Sequence, residues 1–189
     1  MPFTAQFVGG EEDRAALAQL WPPASIPVLV NGEFLVPEST TIVEHLDGIG
    51  DAPPLIPADA ALQARLWDRV IDGQVMTPMQ KIVLDALRPE DAHDAYGVAE
   101  ARAALDHAYA LLDDHLAHRD WLAGTRFTVA DCAAAPALHY AYVVHRWPDR
   151  PNLTRYLDAL LARPAVARVV DEARVYREVF PLPWPADVA

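Results

Sequence analysis

The chain has 189 residues, 52% hydrophobic and 22% charged, the balance of a folded globular protein rather than of a disordered or fibrous one. Its net charge of −12 argues against a nucleic-acid partner, because phosphate recognition needs a positive stripe. The single cysteine, Cys132, excludes an internal disulfide and suits a reducing compartment. With no membrane-length apolar run and no basic-started leader, the expected location is the cytoplasm.

Taken in order, Phe3–Val8 reads as a strand bounded by Gly9-Gly10. Glu11–Trp21 reads as an acidic-started amphipathic helix carrying Ala15, Leu17, Ala18 and Leu20, stopped by Pro22-Pro23. Val28–Val30 is the next strand. Pro27 enters it and cannot donate to a ladder, so it belongs at the strand's start or edge, or in a cis turn. Asn31-Gly32 is expected to supply two positive-φ residues to a type I′ hairpin. Phe34–Val36 forms the return strand and stops at Pro37. Ser39 then N-caps a helix whose apolar positions Ile42, Val43 and Leu46 recur at helical spacing.

A Gly/Asp/Pro-rich loop, Gly48–Pro57, is the natural boundary, and no strand pattern follows it. Ala58 to about Leu87 reads as a long helix with Leu62, Leu66 and Val70 on one line and Trp67, Ile71 and Val75 beside it. Pro78 should kink or end it. Arg88–Asp94 is a loop and Val98–Leu116 a second amphipathic helix. Thr128–His145 is apolar on so many sides that it belongs in the centre of a bundle, with Thr128 and Asp131 spaced as a capping pair. Leu153–Leu161 and Pro164–Glu172 are shorter helices, and Val179–Ala189 is a tail over the surface. The expected class is α+β, mostly α. Residues 1–50 form a small strand-helix-strand-strand-helix domain, 51–57 a linker and 58–189 an all-helical bundle domain.

Three clusters bear weighing as sites. Asp113, Asp114, His115 and His118 place two imidazoles one turn apart, but no third ligand is set by spacing, and solvated helix-end surface is the preferred reading; no metal is expected. Cys132 in an apolar helix reads as an inert thiol. His139, Tyr140, Tyr142, His145 and Trp147 read first as core. They, with Met76, Met79 and Trp184, are also candidate walls of an apolar pocket.

The ordered set Ile26-Pro27, Asn31-Gly32 and Glu38-Ser39 resembles the second half of the glutathione-binding, thioredoxin-like domain of the cytosolic glutathione S-transferases. Trp121–Asp131 resembles that family's approach to the central helix of its all-helical domain. The resemblance implies a cis peptide before Pro27. The N–H and C=O of Ile26 would then turn outward to pair with the cysteinyl part of a peptide. Ser39, at a helix start, suits the γ-glutamyl carboxylate, and Glu38 its amino group. It further implies glutathione as co-substrate, a small electrophilic apolar acceptor, and a homodimer lined by the helix from Ala58.

The same comparison exposes departures. Only 26 residues precede Pro27, so the family's first strand and helix have no counterpart, and neither has its thiol-activating Tyr, Ser or Cys. Thr4 and Ser25 are the nearest hydroxyls and neither matches. A mis-assigned start, an expressed fragment or a natural divergent protein would each account for this, and the match of Met1-Pro2-Phe3 to the family's Leu-Pro-Phe strand opening favours the first two. The cation that often precedes the cis proline is replaced by Ala24-Ser25, with Gln19 or Trp21 as substitutes. The expected function is therefore a glutathione transferase whose catalytic residue is not identified. The alternative is a noncatalytic transferase-like binding or protein-interaction module.

Overall fold

Acidic residues open α1 (Glu11–Leu20), where the first-turn N–H groups have no helical partner. Asp13 reaches back to the residues before the helix: its Oδ2 accepts from the backbone N–H of Gly9 at 3.1 Å and of the N-cap Gly10 at 3.2 Å. The computed structural model describes residues 2–188; Met1 and Ala189, the outermost residues of the two expected domains, lie outside it. Contacts divide the chain into two units, one ending at Ala58 and one beginning at Asp59.

In the first unit, β1 (Val28–Asn31) pairs antiparallel with β2 (Phe34–Pro37), in the register Val28↔Pro37, Leu29↔Val36, Val30↔Leu35 and Asn31↔Phe34. Helix α2 (Ser39–Ile49) follows at once. Asn31 Nδ2 donates to His45 Nε2 at 3.0 Å, and the Ile56 N–H to Asp47 at 2.9 Å, tying hairpin and linker to that helix. Leu17 of α1 and Val36 of β2 are buried apolar side chains of this unit.

Two expectations fail here. Residues 3–8 form no strand: β1 and β2 pair only with each other, so an extended segment has no ladder to join. Its polar backbone groups are left to solvent, and Phe3 and Phe7 are exposed. The turn is also displaced by one residue. Asn31 belongs to the strand, and the two turn residues are Gly32 and Glu33. Of these only Gly32 has positive φ, at 61°, which is the II′ pattern with glycine first rather than I′.

The second unit is helical. α3 (Ala61–Ile71) runs into a π-helical stretch, Asp72–Met76, and then α4 (Thr77–Asp85). Pro78 therefore neither ends the helix nor sits deep inside a regular one. It occupies the opening of α4, directly after the wide π turn that absorbs its missing N–H and the bulk of its ring. The line Trp67, Ile71, Val75 faces the core, whereas Leu62 and Leu66 are exposed.

α5 (Ala95–Leu116), α6 (Val129–Val144), α7 (Pro151–Leu161) and α8 (Pro164–Ala173) complete the unit, with short 3₁₀ turns at Glu90–Ala92 and Arg174–Val179. α6 is central, packing against α3, α4 and α7. Its Ala130, Ala134, Ala137 and Ala141 are wholly buried, and such small side chains let neighbouring backbones approach closely.

Polar knots join the helices. Asp131 accepts from the backbone N–H of Thr128 (2.8 Å) and Leu122 (3.0 Å), from Thr128 Oγ1 (3.2 Å) and from Tyr156 Oη (2.6 Å). Asp113 on α5 accepts from the Leu153 N–H in the first turn of α7 at 2.9 Å. Arg155 Nη2 donates to the Leu116 carbonyl at 2.7 Å and the Arg119 carbonyl at 3.1 Å, closing the end of α5.

Two imidazoles are kept neutral, both first of all by burial. His139 is lowered from 6.5 by burial and then by the Arg177 charge. His115 is lowered by burial and by Arg119, against the opposing bond to Leu122. The unfolded chain thus binds more protons than the native one just below pH 6.5, so stability should fall as pH drops through 6.5 toward the folded values. Melting temperature measured from pH 7.5 to 5.5 should decline, and a His139→Phe variant should decline less steeply. An equal slope in the variant would remove His139 from this account.

Candidate functional site

The hairpin register decides which candidate residues can act together. With Val28 opposite Pro37, the residues just outside the ladder, Ile26-Pro27 on one strand and Glu38-Ser39 on the other, share the same end. The Ile26–Pro27 peptide bond is cis. Ile26, Pro27, Glu38 and Ser39 are all exposed, so this end presents backbone and side-chain polar groups to solvent.

Glu38 is the residue whose geometry the sequence did not signal. Its φ of 68° and ψ of 125° form a combination sparsely populated by L-residues. Such a backbone costs on the order of 1–3 kcal/mol and is tolerated where its surroundings hold it, commonly at ligand-binding turns. It turns the chain sharply from β2 into α2. As a result Glu38, not Ser39, occupies the N-cap position, and Ser39 is the first helical residue. No side chain caps this end, so the first-turn N–H groups stay directed out of the helix start, where an anion is favoured, and Ser39 beside them is exposed.

Of the two substitutes for the missing cation, Gln19 is exposed and Trp21 is otherwise engaged. Trp21 Nε1–H donates to Ser25 Oγ at 3.0 Å, and Ala24 holds a left-handed φ of 51° between them. Ser25 thus has a structural partner, and Thr4 lies in the segment without a strand.

The candidates of the helical unit go their separate ways. His115 lies against the Trp67 ring, centroids 3.8 Å apart, and its Nε2–H must be the donor to the Leu122 carbonyl at 2.9 Å. Asp113 is taken up by the start of α7. Among the described residues, no group of three or more His, Cys, Asp or Glu is disposed to hold a metal ion. Cys132 is half-buried. Met79 is buried in the core and Met76 half-buried beside it.

The aromatic residues split into two groups. Tyr142, Trp147 and Tyr109 pack together, and the Tyr109 hydroxyl donates to the His145 carbonyl at 2.9 Å. Arg102 is an obligate donor to His145 Nδ1 at 3.2 Å, so the imidazole proton sits on Nε2, which donates to Asp106 at 2.8 Å. His139 and Tyr140 instead meet Phe180 and Trp184 from the C-terminal segment.

Known proteins are similar to this chain in sequence and in fold. Residues 95–159, spanning α5 to most of α7, match the family model for the glutathione S-transferase C-terminal domain. Over 155 residues the chain is 30% identical to glutathione S-transferase GstB of Escherichia coli K12, covering 79% of this chain and 74% of that one. The chain belongs to the glutathione S-transferase family. A solved glutathione S-transferase of Methylobacterium radiotolerans, in complex with glutathione sulfonate, is 31% identical, with a TM-score of 0.68 over 80% of this chain and 74% of the other. One from Methylobacillus flagellatus, with glutathione bound, is 27% identical, with a TM-score of 0.73 over 80% and 78%.

A glutathione S-transferase pairs a thioredoxin-like N-terminal domain with a helical C-terminal one, and the mostly helical chain with its small sheet has that fold. The family-model match falls on the elements that build the buried core around Asp131, Leu138 and Tyr156. Among the described residues, no helix of this chain is long and apolar enough to cross a membrane.

Proposed function

We propose that this chain binds glutathione at the Pro27 end of the hairpin and, as a transferase, presents the thiol to a small apolar electrophile. One observation carries the reading: the register Val28↔Pro37 brings Ile26, Pro27, Glu38 and Ser39 to one exposed end. There the Ile26 backbone pairs with the cysteinyl unit as a strand edge does. The uncapped start of α2 and the Ser39 hydroxyl take the γ-glutamyl carboxylate, and Glu38 takes its amino group. Glutathione bound to one solved relative and glutathione sulfonate to the other support the ligand, and GstB supports the reaction class.

A homodimer belongs to the same reading, since Leu62 and Leu66 form an apolar line on the outer face of α3. So does a reducing, cytoplasmic setting, which the lone Cys132 favours. The thiol-activating residue is not assigned. The Ala24-Ser25 departure favours a second reading, a noncatalytic glutathione-binding or protein-interaction module.

Calorimetric titration with glutathione tests the site. Binding by the wild type, weakened about tenfold by Ser39→Ala, is the expected result. No heat from the wild type, or equal affinity in the variant, removes the assignment. Turnover of glutathione with an aryl halide separates the two readings: binding without turnover selects the module.

A further inference from the structure

The unit that carries the hairpin is strongly acidic. Residues 1–58 hold Asp or Glu at eight positions against a single arginine, Arg14, and no lysine. Arg14 lies in the first half of α1, roughly 10 Å along the axis from the Trp21 end, where salt screens an exposed charge. Glutathione is itself a net anion, with a carboxylate at each end and one ammonium group.

The position of its third residue follows from the site proposed above, on which this inference rests. With the γ-glutamyl end at Glu38-Ser39 and the cysteinyl unit on the Ile26 backbone, the peptide continues past Ile26 toward Trp21–Ser25, the connection from α1 into β1. That connection is poor in donors. Pro22 and Pro23 have no N–H, and the Ala24 N–H is spent on the Trp21 carbonyl at 2.8 Å. The Trp21 indole N–H is spent on Ser25 Oγ at 3.0 Å, which leaves Ser25 to supply what donors remain. The last turn of α1 adds carbonyls and the negative end of a helix dipole, and it holds no basic residue. A carboxylate needs donors and a positive field, and this place offers the reverse. A primary amide brings two N–H donors and no charge. We propose that the site selects a γ-glutamylcysteinyl peptide whose C-terminus is an amide, in preference to glutathione with its free glycyl carboxylate.

Calorimetric titration of the full chain compares glutathione, its glycinamide form and its glycyl ethyl ester. The amide should bind about tenfold more tightly than glutathione, and the ester, which sheds the charge without adding donors, should fall between. Raising the salt concentration about tenfold should narrow the gap between glutathione and the ester, because that gap is one of charge. Ser25→Lys places a cation in the connection, and Gln19→Lys places one on the exposed last turn of α1; either should reverse the order in favour of glutathione. Gln19→Lys leaves the Trp21–Ser25 bond intact, so the question stays answerable should the Ser25 variant fold poorly. Binding of all three peptides with glutathione equal to or tighter than the amide overturns the preference and leaves the site standing. An amide preference that neither lysine alters overturns its assignment to Trp21–Ser25, and no heat from any of the three overturns site and preference together.

Discussion

Asp131→Ala should lower stability by about 4 kcal/mol, enough to shift the melting temperature by on the order of 10 °C. The wild-type carboxylate gathers four donors from three parts of the chain: the Leu122 N–H in the preceding loop, the Thr128 N–H and hydroxyl at the start of α6, and the Tyr156 hydroxyl of α7. Alanine leaves these donors in a dry interior, Thr128 and Tyr156 being fully buried. Burial pushes the Asp131 carboxyl up despite the donors, so its charge is itself held at a cost at neutral pH. Asp131→Asn sheds that charge and keeps one acceptor oxygen, but turns an amide N–H₂ toward a donor, and should lose about half as much. Thermal unfolding of both variants checks the order. An alanine variant within 1 kcal/mol of wild type would show the knot to be dispensable.

The double variant Glu38→Ala/Ser39→Ala should lose glutathione affinity by on the order of 100-fold while melting within about 1 °C of wild type. Both side chains are exposed, and neither caps the start of α2, so the fold does not depend on them. The positive-φ backbone at Glu38 is set by the turn from β2 into α2 and not by its side chain. The pairing of an affinity loss with an unchanged melting curve is the discriminating result. Loss of both together would make these residues structural, and retention of affinity would move the site elsewhere.

These two variants mark the two kinds of information in the chain. Thr128 and Asp131 announce themselves locally, three residues apart ahead of an apolar run, and the structure places them as expected. What no local pattern contained is that Tyr156, 25 residues on, adds its hydroxyl to the same carboxylate. The helices after Ala58 were legible because amphipathic periodicity survives in a bundle. At Pro78 the regular α pattern is interrupted by a π turn directly before the ring, a form of interruption that the proline alone does not specify.

Strands were less legible. Phe3–Val8 carries strand residues, but a strand exists only through its neighbour, and here none pairs with it. Asn31-Gly32 has hairpin composition, yet the register Asn31↔Phe34 draws the asparagine into the ladder and leaves the left-handed conformation to Gly32 alone.

The sequence by itself determined the family and the helical pattern, because those depend on spacing along one strand or one helix face, and it nominated Ile26, Pro27, Glu38 and Ser39 as candidates to cradle a small acidic peptide. Only the tertiary structure decided that Glu38 adopts the strained turn, that Ser39 begins the helix rather than capping it, and that Arg177 Nη2 is shut off from solvent with no acceptor among the described residues. Backbone conformation at a turn and the partners of a buried charge are set by groups distant in sequence meeting in space, and no local pattern records them.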